Sequence, residues 1–373
     1  MRTDALITKP HYAILDGLRG VASIMVVAFH IFEAHSTSHL DQIINHGYLA
    51  VDFFFVLSGF VVGYAYDDRW NKMTIKDFFK IRLIRLQPMV VIGMIIGAAC
   101  FYFQDSAMWP TIHQVPVWKM LLIMLIGFTL IPVPISMDNR GWQEMHPLNG
   151  PGWSLFFEYI ANILYGLFIK NFSRTALSIL VFVSACALIH LAVTSPAGDI
   201  IGGWSIDATQ LRIGITRVMY PFFAGLLLSR TVKLIQFSNA FLWTSLLVII
   251  VFSIPRIGGS EHLWLNGLYD SLTVILIFPL IVFLGASGTI TGKISSRICK
   301  LVGDISYPIY ITHYPLIYIY TGWVSNHKTT IAQALPFALL TFVSSILLGY
   351  VCLKFYDEPI RRWLKKKVLI KSK

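Results

Sequence analysis

Apolar runs, most of them near the ~20 residues that span a bilayer, follow one another along almost the whole chain, with short polar segments between them. They predict helices over about residues 14–32, 49–66, 86–103, 118–131, 152–169, 176–193, 213–229, 241–254, 271–284, 301–320 and 335–355. The expected fold is all-α: a polytopic membrane helix bundle, with residues 1–373 forming a single transmembrane domain. The longest polar gap is about twenty residues, too short for an added soluble domain. The apolar run near the N-terminus contains Arg19 and is followed by EAHSTSH, which lacks a small-residue cleavage site, so it is not expected to be a cleaved signal peptide.

Composition agrees with the pattern. The chain is 56% hydrophobic and only 13% charged, against about 25% charged in soluble domains. The net charge of +11 sits in the short segments between apolar runs. That is the distribution of cytoplasmic loops under the positive-inside rule, and it argues against nucleic-acid binding. Cys100, Cys186, Cys299 and Cys352 fall in or beside apolar runs without paired spacing, so neither structural disulfides nor a zinc site is expected.

Charge also bears on topology. The segment 1–12, with Arg2 and Lys9, and the tail 356–373, with Arg361, Arg362 and Lys365 to Lys367, should both be cytoplasmic. If the runs 86–103 and 118–131 both crossed, the basic clusters at Lys170 and Arg174, at Arg230 and Lys233, and at Lys293, Arg297 and Lys300 would all lie outside. If one of them is re-entrant or interfacial, all three fall inside. The second arrangement is expected: about ten crossings, with external loops at 195–211, 255–270 and 322–333.

Several polar residues stand where lipid would penalise them. Arg19 and His30 lie in LDGLRGVASIMVVAFH, eleven positions apart. On a helix that spacing is about 16 Å of rise and returns to within about 20° of the start, so both side chains share a face. With Asp16 nearby, they mark a polar path through the first span, and His30 is the candidate general base. Arg82 and Arg85 in KIRLIRLQP are three apart and suit phosphate, although a positive-inside anchor has the same spacing. In GPGWSLFFEY, Trp153 suits the interfacial belt. Glu158 lies about 9 Å deeper, to orient a histidine, bind a sugar hydroxyl or pair with Arg212 or Arg217. Ser306, Tyr310 and His313 in GDISYPIYITHYPL form a stripe that should face the bundle interior, where Pro308 can kink the helix. Glu358, beside Arg361 and Arg362 in YDEPIRRW, reads as a local ion pair. His35, His39 and His46 form a loose external cluster; His35 and His39 are spaced i,i+4, but no metal is expected.

Together these residues resemble the acyltransferase-3 family of integral membrane acyltransferases. Arg19 and His30 reproduce its arginine–ten residues–histidine element. VDFFFVLSGF is similar to its second-span signature. Arg82 and Arg85 match R-x-x-R, GWSLFFEY matches W-S-L-x-x-E, and SYPIYITHYPL matches the late S-Y-x-x-Y-x-x-H element. The five occur in family order across nearly the whole chain. The resemblance implies transfer of an acyl group, most often acetyl, from cytoplasmic acyl-CoA to a hydroxyl of an extracytoplasmic glycan, such as O-antigen or another surface polysaccharide, in a bacterial inner membrane. It implies His30, Arg19, Asp16 and Glu158 as catalytic residues. Arg82, Arg85 and Arg19 would hold the donor, and Trp153, Ser306, Tyr310 and His313 the acceptor. Many relatives carry a C-terminal hydrolase-like domain, and this sequence is expected to be a stand-alone member. The competing readings are a proton-coupled transporter or flippase, which also uses intramembrane Arg, His and Glu, and a catalytically silent glycan sensor.

Overall fold

A computed structural model describes residues 11–370. The expected basic segment 1–12 and the last residues of the tail lie largely outside the described residues. Among the described residues there are helices and no strand. The order is α1 (Ala13–Glu33), α2 (Ala50–Tyr66), α3 (Ile75–Cys100), α4 (Val117–Gly127), α5 (Gly152–Leu167), α6 (Arg174–Thr194), α7 (Ala208–Thr231), α8 (Ala240–Ser253), α9 (Leu263–Leu272) and α10 (Phe278–Ser287), then α11 (Lys293–Thr312), α12 (Tyr314–His327), α13 (Ile331–Cys352) and α14 (Glu358–Leu364). Seven helices of the described chain, counting α9 with α10 and α13 with α14, are long and apolar enough to cross a membrane by length and composition. The others that were expected to cross are shorter, like α5 and α8, or are the polar, broken pair α11–α12.

Caps explain where the boundaries moved. The expected helix at 86–103 begins eleven residues earlier because Thr74 and Asp77 form a capping box: Thr74 Oγ1 accepts from the Asp77 N–H and the Asp77 carboxylate accepts from the Thr74 N–H. The basic segment carrying Arg82 and Arg85 is therefore helical and continuous with the span. Thr330 and Gln333 start α13 in the same way, four residues before the apolar run.

The core is built around α1 packed along α11, and α2 packed along α7. In the second pair the backbones nearly touch. Gly59 faces the carbonyl of Phe222, and Gly225 faces the carbonyl of Val56, so a Cβ at either position would collide with backbone. Phe182 on α6 and Leu340 and Leu347 on α13 are exposed, as befits faces turned to lipid.

α4 does not continue through the bundle. It runs beside α3 until Gly127 abuts Met94 and the Gln87 amide donates to the carbonyl of Phe128. The chain then turns back. The Val133 N–H donates to the Met145 carbonyl (3.0 Å), Leu148 reaches Gly97, and the Asn149 amide donates to the Ile311 carbonyl (2.8 Å). The last turns of α3 and the first turn of α5 thus sit at the same end of the bundle, the geometry of a re-entrant hairpin.

Candidate active site

Two cavities lie back to back along α1, one at its Arg19 end and one at its His30 end. The first has a volume of about 300 Å³ and the second about 500 Å³. Val51 and Tyr310 line both, so they form part of the wall between them. The wall is closed by a 2.7 Å hydrogen bond between the hydroxyls of Ser154 and Tyr310, with Phe54 edge-on to the tyrosine ring at 5.2 Å.

The Arg19 end is a cage of cations and carboxylates. Arg19 Nη1 donates to Asp16 Oδ1 (2.7 Å), and His11 holds the other oxygen at 2.7 Å. Arg82 Nη2 and Ser58 Oγ both donate to Glu158 Oε1, at 2.7 and 2.6 Å. Glu158 therefore pairs with Arg82 rather than Arg212 or Arg217. It lines the Arg19-end cavity together with Arg82 and Arg85. Arg85, one turn beyond Arg82, opens onto the same cavity and makes no hydrogen bond or ion pair with a described residue. Ser306 also belongs to this cavity and donates to the Gly303 carbonyl.

At the other end, His30 Nδ1 is 2.6 Å from Glu33 Oε2. A proton on Nδ1 shared with the carboxylate leaves Nε2 as the basic nitrogen. The ring meets Tyr314 edge-on at 4.8 Å and stacks on His313 at 5.7 Å. His313 is completely buried, donates from Nδ1 to the carbonyls of Ile309 and Tyr310, and leaves Nε2 without a partner. It stands behind His30 and is not part of the cavity wall, unlike Trp153 and Tyr310. The chain breaks between α11 and α12 at His313, with Pro315 opening the next helix.

Sequence reasoning missed three participants. Glu33 was placed in the following loop, yet α1 runs one residue further than expected and brings it to the i,i+3 position. Asp52, an acid inside the second span, forms a buried bidentate pair with Arg217 (2.6 and 3.2 Å), whose guanidinium lies 5.1 Å from the Trp153 ring. The signal for Asp52 was its apolar setting. Glu144, in the segment after α4, accepts from Tyr318 Oη (2.6 Å), while Arg140 lies 3.5 Å from the Tyr318 ring. Burial pushes the Glu144 carboxyl up to about 7, against the pull of Arg140. Trp109 and Trp142 pack edge to face nearby, so this cavity is walled by aromatic rings.

The remaining candidates resolve locally. His35 bonds Tyr320, His39 bonds Asp199, and His46 bonds Asn266, so the three histidines do not converge. Burial lowers His46 to about 4. Among the described residues no group of three His, Cys, Asp or Glu side chains could hold a metal. Glu358 pairs with Lys354, and Arg361 pairs with Asp357, so the local pair expected between Glu358 and the two arginines is replaced by two others.

The model of the acyltransferase-3 family, described as an acyltransferase domain, matches residues 12–354. The chain is similar to protein 2 in the picA locus of Rhizobium radiobacter, 32% identical over 161 residues that are 41% of this chain and 80% of that one. It is similar to the O-acetyltransferase OatA of Staphylococcus aureus, 23% identical over 363 residues, 93% of this chain and 57% of OatA. YrhL of Bacillus subtilis is 24% identical over 373 residues, 93% of this chain and 54% of YrhL. The chain thus spans little more than half the length of these two relatives. No solved structure matches it. A family match over nearly the whole helical bundle makes this chain an integral-membrane member of the acyltransferase-3 family.

Proposed function

We propose that the protein transfers an acyl group, acetyl first among candidates, from acyl-CoA to a hydroxyl of an extracytoplasmic glycan. The observation that carries this reading is the pair of cavities, arginine-rich at one end and histidine- and tryptophan-lined at the other, separated by the Tyr310 wall. The Arg19 end would face the cytoplasm. In support, Arg230 pairs with Asp67 there and Lys170 covers Trp70, so basic segments from distant parts of the chain gather at one end. The membrane would then be the bacterial cytoplasmic membrane.

Acyl-CoA enters as substrate. Arg85, without an ion pair to any described residue, and Arg82 and Arg19, each held by a carboxylate, offer guanidinium donors to its phosphates. The pantetheine arm carries the thioester inward to Tyr310, and the sugar hydroxyl meets it from the other cavity. His30 Nε2 takes the hydroxyl proton as the oxygen attacks the thioester carbonyl. The C–O bond forms, the C–S bond breaks, and the proton passes to the departing thiolate. Glu33 stabilises the imidazolium in between, and Tyr310 Oη donates to the developing oxyanion. Trp142 and Trp153 give the sugar apolar faces to lie against. Glu158 holds Arg82 in place in this scheme.

The test uses detergent-purified protein with radiolabelled acetyl-CoA and a crude glycan extract, alongside His30→Ala and Arg85→Ala. Label should pass to glycan in the wild type and fail to do so in His30→Ala, while Arg85→Ala should raise the KM for the donor. Label trapped on the protein without acceptor would replace direct attack by an acyl-histidine route. Movement of unmodified glycan without donor dependence would establish a transporter instead.

A further inference from the structure

The segment Tyr356 to Arg361 has no role in the scheme above, yet it forms a wall of the Arg19-end cavity. Between α13 and α14 the helix loosens into a π-turn over Leu353–Asp357. Such turns are uncommon and gather at functional sites, because the extra residue re-aims the side chains that follow. Here Leu353, Asp357, Glu358 and Arg361 all reach the cavity. The segment packs on α3, the helix that carries Arg82 and Arg85.

Its polar groups are arranged for a ligand. Asp357 is 1% exposed, and its Oδ2 holds Arg361 Nη2 at 2.7 Å. Its Oδ1 is buried with no hydrogen-bond partner. A buried carboxylate oxygen left unpaired is costly, and it marks a place where an N–H belongs. A guanidinium has five N–H donors, so the single contact to Asp357 leaves most of Arg361 available. Charge balance points the same way. Arg19, Arg82 and Arg361 are each matched by a carboxylate, and Arg85 alone is unmatched by an ion pair among the described residues. The nucleotide end of CoA brings a diphosphate and a 3′-phosphate, about four negative charges in all. One unmatched cation is too few for that load.

We infer that Arg361, positioned by Asp357 across the π-turn, binds a phosphate of the nucleotide end of the acyl donor, with Arg85 facing it from α3. Asp357 Oδ1 accepts from an N–H of the same nucleotide. This rests on the acyl-CoA reading given above. It makes Arg361 a donor-specificity residue, and gives Asp357 two parts, positioning Arg361 through Oδ2 and contacting the nucleotide through Oδ1.

The experiment compares acetyl-CoA, its 3′-dephospho form and S-acetylpantetheine as donors to wild type, Arg361→Gln and Asp357→Asn, each checked for a monodisperse, cooperatively unfolding state in detergent. For both variants the KM for acetyl-CoA should rise about tenfold with kcat changed less than about twofold, while S-acetylpantetheine kinetics stay as in wild type. If the 3′-phosphate is the partner, the wild type loses as much on the dephospho donor as the variants lose on acetyl-CoA. If the diphosphate is the partner, the variants still discriminate against the dephospho donor. Equal losses on all three donors, or none, would overturn the inference while leaving acyl transfer intact. A wild type that uses no acetyl donor would sink both readings. Should Arg361→Gln fail to fold, Arg361→Lys carries the test: it keeps the Asp357 pair but loses the fork, and a smaller rise confined to phosphorylated donors is expected.

Discussion

One hydrogen bond at His30 sets which nitrogen is free to act. Glu33 engages Nδ1, so a neutral His30 presents Nε2 as its base. Replacing Glu33 by Gln keeps a side chain of similar shape but removes the carboxylate that engages Nδ1. Transfer should fall at least about tenfold with little change in donor KM, read from initial rates, and His30→Ala should lose at least ~100-fold. His30 was legible in the sequence because a titratable residue in an apolar run stands out by itself. Glu33 was not, because its meaning depends on whether the helix ends before or after it, and the apolar pattern fixes helix ends only to a few residues. Asp52 and Arg217 were visible as intramembrane charges, but 165 positions separate them. Only the packing of α2 on α7 makes them partners.

Among the elements, α4 and the segment that returns from it were half legible. Counting basic clusters favoured one of two neighbouring runs stopping short of crossing, and α4 turns back beside Gln87. Which of the two would do so was hidden. α3 gains its length from the basic stretch behind the Thr74 cap, and hydropathy alone begins that helix too late. Gln114→Cys and Gln143→Cys, before and after the hairpin, should react with a membrane-impermeant thiol reagent from the same face of oriented vesicles, and Lys72→Cys from the opposite face. The α2–α7 contact offers a check on packing. Gly225→Val would force the Val56 carbonyl away and should cost about 1–3 kcal/mol, seen as a lower unfolding temperature in detergent. No periodicity argument could have paired Gly59 with Gly225, since small residues in apolar runs have many causes.

On the scale of the whole molecule, the His30-end cavity carries a carboxyl whose ordinary value of 4.5 is raised to about 7. The folded state therefore holds a proton on Glu144 that the unfolded chain releases earlier. That contribution to stability is complete below about pH 4.5 and is lost as pH rises through about 7. Unfolding temperature should fall between those values in the wild type and fall less in Glu144→Gln. The two cavities themselves had only their marker residues in the sequence. Arg19 and His30 defined the axis, but the closed partition at Tyr310 and Ser154 needs α5 and α11 side by side. That partition has a kinetic consequence. If donor and acceptor load from opposite ends, as in the proposed scheme, they never share a mouth, and spent CoA would block only the incoming donor. In steady-state experiments CoA should inhibit competitively against acetyl-CoA at every acceptor level, and no excess of glycan should relieve it. The enzyme would then sense the cell's ratio of acylated to free CoA and remain indifferent to how much unfinished polymer waits on the other side.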